Sequence, residues 1–264
     1  MYKFHRQRQK YFNWQYLTAK DYIIPFINET HAVEAGHRVL EIGCAEGGVL
    51  KAFREVGCNC VGIELSPTRY EKACELHEQI DLPGPVEFIH RNVYDIDPVK
   101  DFDELFDIII LKDVIEHIHD QSRFIDVLKG FLKPGGIVFF GFPPWRMPYG
   151  GHQQIAANPV LKVMPYYHLL PKPVYIGMIK MTKEDPKRVE DLSNIVDTRL
   201  SIRRFEKIVE TSAFSVVNRK FWLFNPIYQH KFGFKPRKQN RVVGSIPYFR
   251  DFVTTAAYYT VELD

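Results

Sequence analysis

The stretch that decides the fold reads VLEIGCAEGG, from Val39 to Gly48. A short apolar run leads into a turn made largely of small residues, a pattern typical of a buried strand that turns sharply into a helix. Such a turn can hold the phosphates of a dinucleotide, cradle another nucleoside ligand, or serve only as a tight connection. The rest of the chain has to decide among these alternatives.

Apolar runs of strand length alternate with helical segments after this turn. We predict strands at residues 38–42, 58–65, 86–89, 106–111 and 137–141, and helices at 48–56, 68–79 and 123–132. Strands that are apolar on both faces are typical of a parallel sheet covered by helices on both sides. The sequence therefore predicts an α/β fold, a doubly wound and mainly parallel sheet that binds ligands beyond the carboxyl ends of its strands.

The 264 residues are expected to form one domain, 1–264, with two elaborations. Residues 1–35 form a helical segment, whose apolar spacing is interrupted at Pro25. Residues 142–200 are rich in Pro, Tyr, Gly and His and too long for an ordinary connection, so we interpret them as a lid inserted after the fifth strand. Late strands at 214–224 and 254–262 would add an antiparallel edge.

The net charge of +3 gives no bulk electrostatic case for nucleic acid, which is an unlikely partner. The charge is nevertheless uneven. Seven basic residues and no acidic one lie between positions 219 and 241: Arg219, Lys220, Lys231, Lys235, Arg237, Lys238 and Arg241. This stretch is either a solvated face or a docking surface for an anionic partner.

The N-terminus lacks the apolar core of a signal peptide, and no apolar run approaches the ~20 residues of a membrane helix. The four cysteines show neither a C-x-x-C pair nor zinc spacing; they are Cys44, Cys58, Cys60 and Cys74. We therefore expect buried thiols in a cytoplasmic protein without a transmembrane segment. The sequence does not indicate the oligomeric state.

Several motifs in the correct order carry a family resemblance. Residues 43–48 can be read as a degenerate dinucleotide fingerprint, but residues 41–47 also match E-x-G-x-A-x-G. FDIIILKDVIEHI and then LKPGGIVFFGFPP follow in register. From Val39 to Pro144 the chain resembles the class I S-adenosylmethionine-dependent methyltransferases, and within them the ubiquinone-biosynthesis O-methyltransferase-like branch. The resemblance implies a seven-stranded, Rossmann-like sheet.

The resemblance also implies the residues that bind S-adenosylmethionine. They are Glu41, Gly43, Ala45, Gly47, Glu64, Asn92, Val93 and Leu111. Glu64 ends the second strand, where a carboxylate can accept both ribose hydroxyls, and the Asn92 carbonyl can accept from the adenine amino group. Leu111 would lie near the methionine end. Ala45 replaces the middle glycine of the motif, which is tolerable if its φ is negative.

Two features point to the methyl acceptor. One helical turn would place three potential ligands on the same face: Asp113, Glu116 and His117. The resemblance implies that such a run can bind a divalent cation. Alternatively, His117 packs against its neighbours and Glu116 caps the next helix. His152 follows Gly150-Gly151 in the lid and could act as a general base. The candidate catalytic residues are therefore His152, His117 and Asp113.

We expect O-methylation of a small-molecule or glycan-like hydroxyl. The lid residues Tyr149, Tyr166, Tyr167 and His168 either line the acceptor pocket or form the lid's own core. Two other functions stay open at this point: an NAD-dependent oxidoreductase, and a non-catalytic protein that binds a nucleoside or RNA.

Overall fold

A single mixed sheet runs through the protein, whose computed structural model describes residues 2–182 and 184–264, with side chains described from residue 7 onward. Its strands in the described chain are β1 (Arg38–Ile42), β2 (Asn59–Ile63), β3 (Val86–Ile89), β4 (Phe106–Lys112), β5 (Leu132–Phe142), β6 (Phe214–Phe224), β7 (Arg237–Lys238) and β8 (Ala256–Leu263). Their order across the sheet is β3-β2-β1-β4-β5-β8-β6-β7.

The first five strands pair in parallel, and β8 inserts antiparallel between β5 and β6. The predicted α/β fold, with a doubly wound and mainly parallel sheet and an antiparallel edge, is confirmed. The described residues form eight strands rather than seven, because Arg237 and Lys238 pair with β6 at Phe224 and Trp222. The carboxyl ends of β1, β2 and β4 meet at one edge of the sheet, where a ligand site is expected.

Helices cover both faces of the sheet. They are α1 (Tyr2–Thr18), α2 (Ile24–Ile27), α3 (Gly48–Val56), α4 (Pro67–Glu78), α5 (Pro98–Asp101), α6 (Gln121–Leu128), α7 (Pro159–Val163), α8 (Lys172–Met181), α9 (Pro186–Thr198), α10 (Ile202–Glu210), α11 (Ile227–Phe232), α12 (Arg241–Ser245) and α13 (Phe249–Phe252). Leu40 packs into the core beneath α6 and α10, whereas its neighbour Val39 packs against α2 and α3. This alternation is the burial of both strand faces that the apolar runs predict.

The sequence predicts that Pro25 interrupts the N-terminal helical segment, but the structure shows no interruption of the helical path there. A π-helical turn, Ala19–Ile23, follows α1 directly, and Pro25 then sits in the first turn of α2. The change from α-helical to π-helical hydrogen bonding directly before Pro25, in which the Ile24 N–H donates to the Ala19 carbonyl, alters the regular ladder where the proline enters without ending the helix. The helical path therefore continues from Tyr2 to Ile27.

Residues 143–200 carry α7, α8 and α9 and a small apolar core of their own. Tyr175 on α8 and Leu192 on α9 are fully buried in that core, together with Trp145 next to β5. The segment therefore packs as a unit above the carboxyl end of β5. Its predicted function as a lid remains a prediction.

No helix in the described part of the chain is both long and apolar enough to cross a membrane. Cys44, Cys58 and Cys60 are buried as free thiols, and Cys74 is partly buried. Burial raises the pKa of the Cys58 thiol to about 11, so this group is an inert part of the core.

Candidate functional site

The turn after β1 takes an unusual backbone path. Gly43, Ala45 and Gly47 all have positive φ angles, of 72°, 51° and 78°. A Cβ on Gly43 would lie 2.7 Å from Val114 Cγ2, and one on Gly47 would lie 2.8 Å from His77 Nε2. Both positions therefore require glycine for space as well as for conformation. The condition of a negative φ, under which alanine is tolerable at position 45, is not met, and this residue carries local backbone strain.

Glu64 compensates for that strain by joining the turn to the end of β2. Its Oε2 accepts a hydrogen bond of 2.8 Å from the Ala45 N–H, and its Oε1 accepts one of 2.7 Å from the Ser66 N–H. Each carboxylate oxygen keeps a lone pair that can accept a ligand hydroxyl. By contrast, the N–H groups of Gly43 and Cys44 both donate to the Ile63 carbonyl, so they are already paired within the protein.

The other predicted nucleoside contacts differ in exposure. Asn92 is exposed, and its Oδ1 accepts a hydrogen bond of 3.1 Å from the Tyr94 N–H, while Val93 is buried next to it. Leu111 is fully buried in the core and lines none of the cavities described below. Its neighbour Lys112 reaches the crevice instead, because successive side chains of a strand point to opposite faces.

A narrow cavity of about 40 Å³ lies between this turn and α1. Gln15 from α1 and Glu41 and Glu46 from the sheet side line it, and each has a buried side-chain oxygen without a hydrogen-bond partner: Gln15 Oε1, Glu41 Oε2 and Glu46 Oε2. Unpaired buried acceptors are costly in a folded protein unless a ligand or water satisfies them. Three of them around one cavity fit a ligand that brings positive charge and N–H donors.

The cavity opens toward a cleft of about 260 Å³ between α1 and α4. Tyr11, Glu46 and Arg69 line both spaces. A volume of 40 Å³ holds only a few water molecules. In the conformation described, α1 therefore narrows the inner part of the crevice, and the outer cleft supplies most of its room.

Sequence reasoning missed Glu46 in the turn itself and polar residues of the crevice outside the turn, among them four: Tyr11, Gln15, Arg69 and Lys112. Lys112 is buried and forms an ion pair with the carboxylate of Asp113. A lysine at the end of a fully apolar strand is rarely buried unless it is paired, and that signal could have identified it. The other three of these four come from α1 and α4, whose docking the local sequence does not reveal.

Two histidines meet beside the crevice. The ring centroids of His117 and His152 are 5.0 Å apart, with an interplanar angle of 62°. Three side chains can each offer one ligand atom here, and these three atoms lie within 4.8 Å of one another: they belong to Glu116, His117 and His152. The predicted cation ligands thus converge with one change: His152 takes the place of Asp113, which has a φ of 57° and is bound to Lys112.

Burial dominates the electrostatics of this group. Both oxygens of Glu116 are buried without a hydrogen-bond partner, Oε1 lies 4.0 Å from His117 Nε2, and burial followed by the nearby Asp113 raises the pKa of Glu116 well above the usual value. Burial and then the neighbouring His117 lower the pKa of His152 to about 4. The His117 side chain is 48% exposed, and desolvation of its buried part lowers its pKa. Both imidazoles are therefore neutral near pH 7. Neutral imidazoles beside a carboxylate form a ligand set suited to a divalent transition metal.

Two of the four lid residues predicted to line a pocket or to form the lid's own core belong to that core. His168 is fully buried, with Nε2 2.8 Å from the Trp145 carbonyl, and Tyr167 packs against Tyr175 in the lid core. These two are structural. Tyr149, whose hydroxyl donates to the Val163 carbonyl at 3.3 Å, stays partly exposed near the histidine pair.

Comparisons with known proteins agree with this architecture. A family model described as a methyltransferase domain matches residues 11–156, more than half of the chain. A ubiquinone biosynthesis O-methyltransferase of Nitrobacter winogradskyi is 35% identical over 107 residues, which are 39% of this chain and 38% of that protein. One from Chelativorans sp. is 33% identical over 130 residues, 49% of each protein. The matched regions thus span at most about half the length of these relatives.

Among solved structures, the plantazolicin methyltransferase BamL, in complex with a triazolic desmethylPZN analog and SAH, is similar in fold. It has a TM-score of 0.54 and 12% identity, over 98% of this chain and 88% of that one. At this identity the likeness concerns the fold alone. The family match, the turn after β1 and the crevice of unpaired acceptors together lead to one assignment: the chain belongs to the class I S-adenosylmethionine-dependent methyltransferases.

Proposed function

We propose that this methyltransferase acts on a hydroxyl group of a small molecule, with a divalent cation held by Glu116, His117 and His152. The observation that carries the proposal is the convergence of these three side chains around the buried Glu116 carboxylate, whose oxygens lack a hydrogen-bond partner. The family match removes the reason for the NAD-dependent alternative, and nothing in the described site favours a purely binding role.

The chain supplies a separate contact for each part of the donor. Glu64 accepts hydrogen bonds from the ribose hydroxyls with the lone pairs that Ala45 and Ser66 leave free. The buried carboxylate oxygens of Glu41 and Glu46 that lack a hydrogen-bond partner face the cationic methionine end. Asn92 stands at the adenine end. When bound, S-adenosylmethionine supplies an already activated methyl group, so the protein mainly aligns the reactants and excludes water.

The histidine pair would serve the acceptor. A bound divalent cation would act as a Lewis acid and lower the pKa of the acceptor hydroxyl. His152, on the lid segment, and His117, on the sheet segment, would both supply a neutral nitrogen. Asp113 is a positioning residue in this scheme, because its ion pair fixes Lys112 at the edge of the donor crevice.

The hydroxyl acceptor is supported by the relatives from Nitrobacter winogradskyi and Chelativorans sp., which are named ubiquinone biosynthesis O-methyltransferases. A glycan-like acceptor has no such support, and we retain only a small-molecule hydroxyl. We also propose that residues 143–200 close over this acceptor as a lid, since they carry His152 to His117.

The test is methyl transfer to a panel of phenols, catechols and alcohols, measured as S-adenosylhomocysteine formation. We expect activity that EDTA abolishes and that Mg²⁺, Mn²⁺ or Zn²⁺ restores. Glu116→Gln should lose both activity and bound metal, whereas Glu210→Gln, at an exposed glutamate of α10, should lose neither. Full activity in EDTA would remove the cation; methylation of amines or thiols but no hydroxyl would remove the O-directed proposal.

A further inference from the structure

A second concave site lies beside β6 and β7, the last two strands in the order of the sheet, whereas the donor crevice lies at the carboxyl ends of β1, β2 and β4. A groove of about 400 Å³ runs between β6 and the segment that leads from β7 into α12. It shares no lining residue with the two cavities of the donor crevice. Its volume is within the range of about 300–1,000 Å³ that small-molecule sites occupy. The methyltransferase site does not account for this groove.

Cations dominate the lining of the groove. Arg219 and Lys220 lie on the β6 wall, and Lys238 and Arg241 lie on the opposite wall. Glu29 is the one carboxylate among the lining residues. These positions belong to the basic 219–241 stretch, which folds so that four of its seven charges face one groove rather than spreading over a solvated surface.

The two walls differ in how their charges are compensated. Arg219 forms an ion pair of 2.9 Å with Glu206, and Lys220 pairs with Glu29. Within the residues that the structure describes, neither Lys238 nor Arg241 forms an ion pair, although the positive charge of Lys238 acts on the nearby Glu29 carboxylate. The groove therefore presents four cations against one lining carboxylate.

The groove is held by specific hydrogen bonds. The Gln239 N–H donates to the Phe221 carbonyl at 2.8 Å, and its side-chain amide donates to the Val253 carbonyl at 2.7 Å. The side chain of Asn240 caps α12 by accepting from the Val242 N–H at 2.8 Å. Lys238 and Arg241 flank this anchored segment, so their backbone positions do not depend on a ligand.

We propose that this groove binds a phosphate monoester. Such a group carries a charge of about −1.5 to −2 and three acceptor oxygens, which match one lysine and one arginine that form no ion pair in the described chain. Arginine suits this role because its planar donors can contact two oxygens at once. A narrow concavity favours a small phosphorylated ligand over the broad surface of a nucleic acid. The phosphate belongs either to a soluble metabolite or to a lipid headgroup.

The experiment measures binding to the full chain in low salt, with glucose 6-phosphate as the soluble probe and vesicles containing phosphatidic acid as the lipid probe. The double variant Lys238→Ala/Arg241→Ala should weaken binding at least tenfold. The matched double variant Lys235→Ala/Arg237→Ala removes the same charge from residues outside the groove and should change binding by less than twofold.

Loss of glucose 6-phosphate binding in the groove variant alone assigns a soluble ligand, and loss of vesicle binding alone assigns a headgroup. Either result supports the site. Failure of both probes to bind the native chain, or equal weakening in the two double variants, overturns it. Thermal unfolding of both variants shows that they are folded. Because the readout is binding, it does not depend on methyl transfer, so a failure here leaves the proposed function intact.

Discussion

The donor crevice and the lid with its histidine differ in how the chain builds them. In the crevice, the turn after β1 and Glu64 are about twenty residues apart and are joined by one hydrogen bond from Ala45 to Glu64. In the proposed acceptor region, His117 and His152 come from separate segments and meet only because residues 143–200 pack over β5. The difference teaches that the geometry of the turn after β1 is fixed by contacts within the sheet, whereas the proposed acceptor chemistry depends on the placement of an insertion.

The sharpest way to break this comparison is to remove the histidine that the lid supplies. His152→Ala should lower kcat at least 100-fold with little change in donor affinity, because a metal or base contribution acts on the reacting hydroxyl. The measurement is steady-state kinetics together with the metal content of the purified protein. His119→Ala, at an exposed histidine, is the matched control. A variant with normal kcat would show that the lid does not supply chemistry.

A substitution of Glu64 tests the donor crevice instead of the lid. Glu64→Ala should weaken binding of S-adenosylhomocysteine by about 1–3 kcal/mol, roughly fivefold to 150-fold, since it removes a charged acceptor and leaves the Ala45 N–H unpaired. Calorimetric titration measures this loss. Glu78→Ala, at an exposed glutamate of α4, should bind normally. An unchanged affinity at position 64 would mean that the carboxylate is only a structural link between two turns.

A pH titration extends the comparison to α13, where Asp251 is fully buried. Burial raises its pKa to about 6, against the opposing effect of Arg146 and Arg250. Because the folded-state pKa lies above the unfolded one, its contribution to stability is complete below about pH 4 and is lost as the pH rises through 6. Asp251→Asn should therefore raise the free energy of unfolding at pH 7, by on the order of 2 kcal/mol.

Urea unfolding at several pH values checks this prediction, with Asp103→Asn as the exposed control. The difference between Asp251→Asn and the native protein should shrink toward pH 4. A difference that does not depend on pH would indicate a packing effect rather than titration.

The smallest expected effect concerns the strained turn. Ala45→Gly should raise the free energy of unfolding by about 0.5–1 kcal/mol, because glycine adopts a φ of 51° without strain while losing more entropy on folding. Chemical denaturation measures the change. Loss of stability instead would show that the Ala45 methyl group contributes more by packing than its backbone strain costs.

The sequence predicted the sheet well because apolar periodicity acts over a few residues. The strand predicted at 214–224 matches β6, and the helix predicted at 48–56 matches α3. Glu116 and His117 were identified because they are adjacent. The contact of His152 with His117 was not predictable, because it depends on how a 58-residue insertion packs. Nor was the positive φ of Ala45, which follows from the hydrogen bond to Glu64.

The packing of α1 on the turn after β1 has a kinetic consequence. A Cβ on Gly48 would lie 2.8 Å from Gln15 Cβ and would also meet the Phe12 carbonyl, so α1 rests almost directly on the glycine backbone. S-adenosylmethionine and its product are far larger than the inner cavity, so in the proposed reaction α1 would have to move before either could occupy it. We therefore expect turnover to be paced by the lifting of α1 and the escape of product rather than by the methylation step.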